Sequence, residues 1–223
     1  MHIDIISDTV CPWCFIGKRR FERALTERPD LDITLSWRPY QLNPEMPREG
    51  MDSHDHLQEK YGGDQAAREM LENIRLVGET EDIPFAFDLV ERTPNTVDSH
   101  RLIGWAEAAG VQDAVVEKLF QRYFLEGQDI GDPEILLDIA EEVGMNADIV
   151  ADLLDTDAER DKIIAENKSF QEMGVTGVPC FIVDKKYVVM GAQEPETFLQ
   201  MFDKVEAKED EEAAEAHEAD GQA

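Results

Sequence analysis

Cations are scarce in this 223-residue sequence: 21 Lys and Arg stand against 50 Asp and Glu, a formal charge of −29. A nucleic-acid backbone requires a basic footprint, and an anionic membrane surface repels a chain of this sign, so neither is expected as a partner. No apolar run reaches the roughly 18 residues that a membrane span needs. Strand-like residues begin directly after Met1, leaving no room for a basic-then-apolar leader, and a cytoplasmic protein is expected. Cysteines number only 3, too few and too odd for a disulfide scaffold. In a reducing compartment such cysteines direct attention to redox chemistry or metal binding.

Apolar residues make up 42% of the chain and include 10 Phe, which excludes global disorder despite 32% charged residues. The acidity is spread throughout: residues 207–223 hold seven acids and one Lys, leaving −23 on the remainder. Self-repulsion of that size opposes folding in dilute buffer and is screened in concentrated salt, so the composition predicts a protein adapted to a salty interior.

His2 to Ser7 (HIDIIS) reads as a buried strand, Cys11 to Arg28 as a helix with Pro12 at its start and Pro29 beyond its end, and Leu31 to Trp37 as an alternating strand. Three prolines and Gly50 keep residues 38–50 irregular. Helical patterns follow at Asp64 to Val77, Thr96 to Ala109, Gln112 to Leu125, Pro133 to Val143 and Ala158 to Met173, each closed by a glycine. Strand patterning returns at Val178 to Val183 and Tyr187 to Met190, and a last helix runs from Pro195 to Val205. The order βαβ, helices, ββα predicts an α/β domain (residues 1–45 and 175–206) interrupted by an all-helical insert (46–174). An acidic, mobile tail (207–223) is expected to follow.

The sharpest local signal is Cys11-Pro12-Trp13-Cys14 at the first strand-to-helix junction. A three-residue separation in a helical turn brings both sulfurs to one side, close enough to make or break a disulfide. Cys11 meets the unpaired amides and positive dipole of the helix start, which favours its thiolate and makes it the attacking nucleophile; Cys14, one turn deeper, is the shielded resolving thiol. Pro12 stiffens the turn and Trp13 offers an apolar plane to a substrate. The alternatives are that the pair merely packs, or that Cys11, Cys14 and Cys180 bind zinc with a histidine. Pro179, preceded by the β-branched Val178, suits a cis bond that exposes the Val178 main chain to an extended peptide. Cys180 is either a buried core cysteine or a third redox thiol. His54 and His56 do not share a helix face and read as surface residues. Arg38 either lines a groove or is structural. Trp105, Ala106 and Ala109 read as core packing.

Asp8 to Leu25 (DTVCPWCFIGKRRFERAL), Trp37 to Pro44 (WRPYQLNP), Pro94 to Arg101 (PNTVDSHR), Gly177 to Pro179 and Gly191 to Phe198 (GAQEPETF) resemble the FrnE branch of the DsbA-like thioredoxin-fold proteins, in order and over nearly the whole chain to Val205. The resemblance implies a thioredoxin-like fold with a large inserted helical domain. The implied activity is thiol–disulfide exchange on protein or peptide substrates, with Cys11 attacking, Cys14 resolving and Pro179 as the cis-proline. It implies no metal or organic cofactor; glutathione or another cellular thiol reductant is a candidate partner. Glutathione-dependent isomerases acting on hydroxychromene carboxylates and kappa-class transferases are similar, but they carry serine where Cys11 stands and lack a match to Cys14. The Asn95, Thr96, His100 and Arg101 stretch resembles one that faces the active site in both groups. His100 is thereby either a neighbour of the Cys11 thiolate or a polar bridge between helices. A non-enzymatic interaction protein is the third reading.

Overall fold

The computed structural model describes residues 1–220. β1 (His2–Ser7), α1 (Pro12–Glu27) and β2 (Thr34–Pro39) form the opening βαβ unit, with β1 and β2 parallel from His2 opposite Thr34 to Ser7 opposite Pro39. A two-residue strand β3 (Met51–Asp52) leads into α2 (Ser53–Tyr61) and α3 (Asp64–Glu79), and β4 (Arg92–Thr93) pairs back onto β3. α4 (Val97–Ala109), α5 (Gln112–Phe120), α6 (Pro133–Glu142), α7 (Ala147–Leu154) and α8 (Arg160–Glu172) complete the helical segment. β5 (Cys180–Val183), β6 (Tyr187–Met190) and α9 (Pro195–Asp220) close the chain. β5 lies antiparallel to β1 and β6 antiparallel to β5, which gives the sheet order β2-β1-β5-β6.

β1 is therefore internal to the sheet, and its Ile3, Ile5 and Ile6 are fully buried, as a strand covered on both faces requires. β2 begins three residues later than its alternation suggests, because its ladder partner begins at His2: Thr34 donates to the Met1 carbonyl and nothing lies opposite Leu31. α2 and α7 are additional to the expected helices. α2 has few apolar residues and α7 is only eight residues long, but each carries an end signal: the Asp52 carboxylate accepts the Asp55 amide, and the Asn146 side chain accepts the Ile149 amide. The helix expected from Gln112 to Leu125 changes to a π-helical turn at Gln121–Leu125. The helix expected to stop at Val205 continues to Asp220. Residues 206–220 contain neither proline nor glycine and are dominated by Ala and Glu, both strong helix formers, so propensity outweighs the charge that suggested a mobile tail. Residues 221–223 of that tail lie outside the described ones.

α1 is clamped between the sheet side and the helical segment. Phe21 packs on Phe181, Phe198 and Phe202 with ring centroids 5.2–6.2 Å apart. Phe15 stacks on Phe120 at 5.1 Å and meets Phe85 edge-on at 6.0 Å. One apolar core runs through both contacts, so the helical segment does not have a core of its own. Ion pairs reinforce the clamp: buried Lys18 meets Asp113 and Glu117 at 3.2 Å, and Arg20 and Arg23 converge on the buried Glu81. Burial alone would lower the Lys18 pKa, but Asp113, Glu22 and Glu117 outweigh it and raise it.

Candidate active site

β1 ends at Ser7, and the Cys11 amide donates to the Asp8 carbonyl at 3.0 Å, bending the chain directly into α1. Cys11 is the residue before the first helical one, with φ −98° and ψ 108°, and Pro12 occupies the first turn, where a missing N–H leaves no acceptor unsatisfied. The Cys11 carbonyl accepts the Cys14 amide at 3.0 Å, so the CPWC segment is the first turn of the helix. Cys11 and Cys14 are buried free thiols, whereas Trp13 between them is 37% exposed. The Cys14 thiol has Cys11, Ser7 and Asp8 as neighbours. Burial and then the Cys11 sulfur hold its pKa well above the ordinary thiol value, against the smaller pull of Ser7 and Asp8.

The segment before β5 closes the site from the other side. The Val178–Pro179 peptide is cis, and the Cys11 thiol lies 3.6 Å from the Val178 carbonyl oxygen, to which it can donate. Gly17, one turn beyond Cys14, lies against the Pro179 ring: a Cβ at Gly17 would come within 2.8 Å of Pro179 Cγ and 3.5 Å of Ala192. Cys180, directly after, faces Ile6, Tyr40, Phe170 and Val175, and burial pushes its thiol up to about 11. It is a core cysteine. Among the described residues the three thiols and a histidine do not converge to metal-ligand distance, so the zinc alternative has no geometric support.

A cavity of about 290 Å³ opens beside Cys11, bounded by Pro12, Trp13 and Val178 on one side and by residues of α2 and α3 on the other. Tyr61, at the end of α2, is one of these; burial and then the Cys11 sulfur raise its phenol pKa. His56 also lines the cavity, half-buried, which departs from the expectation of a plain surface residue; His54 is exposed beside Asp64 at 3.1 Å. These residues escape a sequence reading because α2 does, although Asp52 and the left-handed Gly62 mark both of its ends.

Asn95, Thr96 and His100 do not line that cavity. The Asn95 amide donates to the Met46 carbonyl at 2.7 Å, and its oxygen accepts the Val97 amide. Thr96 is buried and its carbonyl accepts the Ser99 hydroxyl, which in turn meets Thr9 at 2.8 Å. The buried His100 donates from Nε2 to the Tyr40 carbonyl at 3.0 Å and lies 3.5 Å from Asp8 Oδ1; Asp8 Oδ2 accepts the Leu42 amide at 2.8 Å. This group braces the loop after β2 behind the CPWC turn. Arg101, fully buried, is committed to the carbonyls of Leu153, Thr156 and Ala158. Arg38 pairs with Asp4 at 2.7 Å and lines a separate small pocket with His100 and Glu166, not the cavity beside Cys11.

The model of the DSBA-like thioredoxin domain matches residues 2–203. A probable DsbA oxidoreductase of Streptomyces coelicolor is similar in structure, with a TM-score of 0.82 and 30% identity over 90% of this chain and 88% of that one. Bacillus subtilis YwbO, described as uncharacterized, is 29% identical over 199 residues, 89% of this chain and 94% of that protein. A cytosolic disulfide reductase of Pseudomonas aeruginosa, DsbM, solved with glutathione, shares the fold at a TM-score of 0.63, with 18% identity over 92% of this chain and 98% of that one.

Proposed function

Because the chain belongs to the DSBA-like thioredoxin domain family and has its thioredoxin-like fold, we propose that it is a thiol–disulfide oxidoreductase of the FrnE-like kind that works through Cys11 and Cys14. The observation that carries this reading is the pair of buried free thiols, three residues apart on the first turn of α1, beside a cavity and facing the Val178 carbonyl.

Cys11 forms the mixed disulfide, and Cys14, held behind it, resolves the intermediate by attacking the Cys11 sulfur. The raised Cys14 pKa keeps that thiol protonated until its partner has reacted, so resolution follows capture. Pro12 and Trp13 form one lip of the site; Val178 and Pro179 form the other, where a substrate main chain would lie along the strand edge. Protein or peptide thiols and disulfides are the substrates, and a low-molecular-weight thiol is a fitting electron partner, as the neighbour solved with glutathione suggests. Among the described residues no helix is long and apolar enough to cross a membrane, and a cytoplasmic location is part of the proposal.

Replacing Cys14 with Ser tests the reading. The variant should accumulate a stable mixed disulfide at Cys11, visible as a mass adduct that dithiothreitol removes, and its turnover with insulin should stall. Undiminished turnover on a small non-disulfide substrate in Cys14→Ser would instead identify a glutathione-dependent isomerase or transferase. No exchange by the wild type with insulin or scrambled proteins would leave a binding protein.

A further inference from the structure

The cavity beside Cys11 carries a charge pattern unlike the rest of the molecule. The chain holds 50 Asp and Glu, yet none of the residues lining this cavity is acidic. Its walls are chiefly apolar, with Leu42, Leu57, Ile74 and Val90 among them, and its basic side chains are His56 and Lys60. Burial and then the neighbouring Lys60 push the His56 imidazole below its ordinary value, which leaves Lys60 as the cation at neutral pH. Most cations elsewhere are committed to carboxylates, as Lys18, Arg20 and Arg28 are. Among the described residues Lys60 forms no ion pair; its ammonium lies 3.5 Å from the Asn43 amide oxygen, and the side chain stands exposed at the cavity rim.

Building on the thiol–disulfide reading above, we propose that the site takes a small disulfide carried on a short apolar body that ends in a carboxylate. The sulfurs reach Cys11, the apolar body fills the cavity, and the carboxylate meets Lys60 and the Asn43 amide. A cavity of about 290 Å³ suits a small molecule and excludes a folded segment. The chain's overall negative charge opposes anion entry only over a screening length of about 10 Å at 0.1 M salt, and less at higher salt, whereas the Lys60 pair acts at contact.

The chemistry balances without an added reagent. The Cys11 thiolate attacks one substrate sulfur, the S–S bond breaks, and the freed substrate thiolate takes up a proton. Cys14, on losing its proton, attacks the Cys11 sulfur and releases the second substrate sulfur as a thiol. The protein is oxidised by two electrons to the Cys11–Cys14 disulfide, and the substrate is reduced to a dithiol.

The experiment mixes prereduced full-length protein with lipoic acid, a cyclic disulfide on an aliphatic chain ending in a carboxylate, or with lipoamide, its neutral counterpart. Single-turnover oxidation of Cys11 and Cys14 is followed by thiol alkylation and mass. Lipoic acid should react faster by roughly fivefold, the size expected of one rim ion pair. That ratio should fall to about one in Lys60→Met and return in Lys60→Arg. Equal rates in the wild type, or a ratio that persists in Lys60→Met, would overturn the proposal. Exchange with insulin but with neither small disulfide would overturn it and spare the oxidoreductase reading. Exchange with none of the three would remove both.

Discussion

Gly17 is where two opposing contributions can be weighed at a single residue. Alanine in place of a mid-helix glycine normally gains about 1 kcal/mol. Here the new methyl would stand 2.8 Å from Pro179 Cγ, an atom of a ring that cannot rotate away, and overpacking of that kind costs about 1–3 kcal/mol. Gly17→Ala should therefore be destabilised, with slower thiol exchange because Pro179 and Val178 shift relative to Cys11. Chemical denaturation and a single-turnover rate check the two parts. Cys180 makes a pH prediction. Its thiol titrates at an ordinary 9.0 once exposed and at about 11 when buried. Between those values the unfolded chain binds fewer protons than the folded one, so this contribution is intact below about pH 9 and is lost as the pH rises toward 11. On the order of 2 kcal/mol is at stake. Denaturation of the reduced protein across that range should show the loss, and Cys180→Ala should make it smaller, leaving the part that the raised Cys14 thiol and Tyr61 phenol contribute.

The decisive element is α1, whose two faces tie the sheet to the helical segment. Its start and end were legible from Pro12 and Pro29, and its nucleophile position from the strand-to-helix junction. Which helices lie against it was not, because Phe120 and Phe124 are distant in sequence and nothing in their spacing names Phe15 as a partner. The Phe15–Phe120 stack predicts that the molecule unfolds as one unit. Phe120→Ala should cost about 3–5 kcal/mol and should shift probes in the sheet and in the helical segment together. Two separated transitions would mean that the helical segment folds alone. α2 shows the limit in the other direction: its end signals are local and readable, but its role as one wall of the cavity depends on packing over Cys11.

For the whole molecule, the imbalance of 50 acids against 21 cations decides how salt acts. Added salt weakens individual ion pairs such as Arg38–Asp4 and also screens the repulsion among the surplus carboxylates. Surface pairs contribute little each, and the surplus is large, so relief of repulsion should win. The thermal midpoint is expected to rise between about 0.1 M and 1 M sodium chloride, as the screening length falls from about 10 Å to about 3 Å. A flat or falling midpoint would remove the case for adaptation to salt.

Short-range chemistry was readable without coordinates. A CxxC at a strand–helix junction, a proline after a β-branched residue and the βαβ…ββα order each follow from backbone sterics and periodicity within a few residues. The tertiary structure alone decided what those residues meet: Gly17 under Pro179, His100 turned toward Tyr40 and Asp8 instead of into the cavity, and Lys60 brought to the rim from a helix of its own. Such contacts join residues tens of positions apart, and only the packing of one shared core selects among the many arrangements that the local preferences allow.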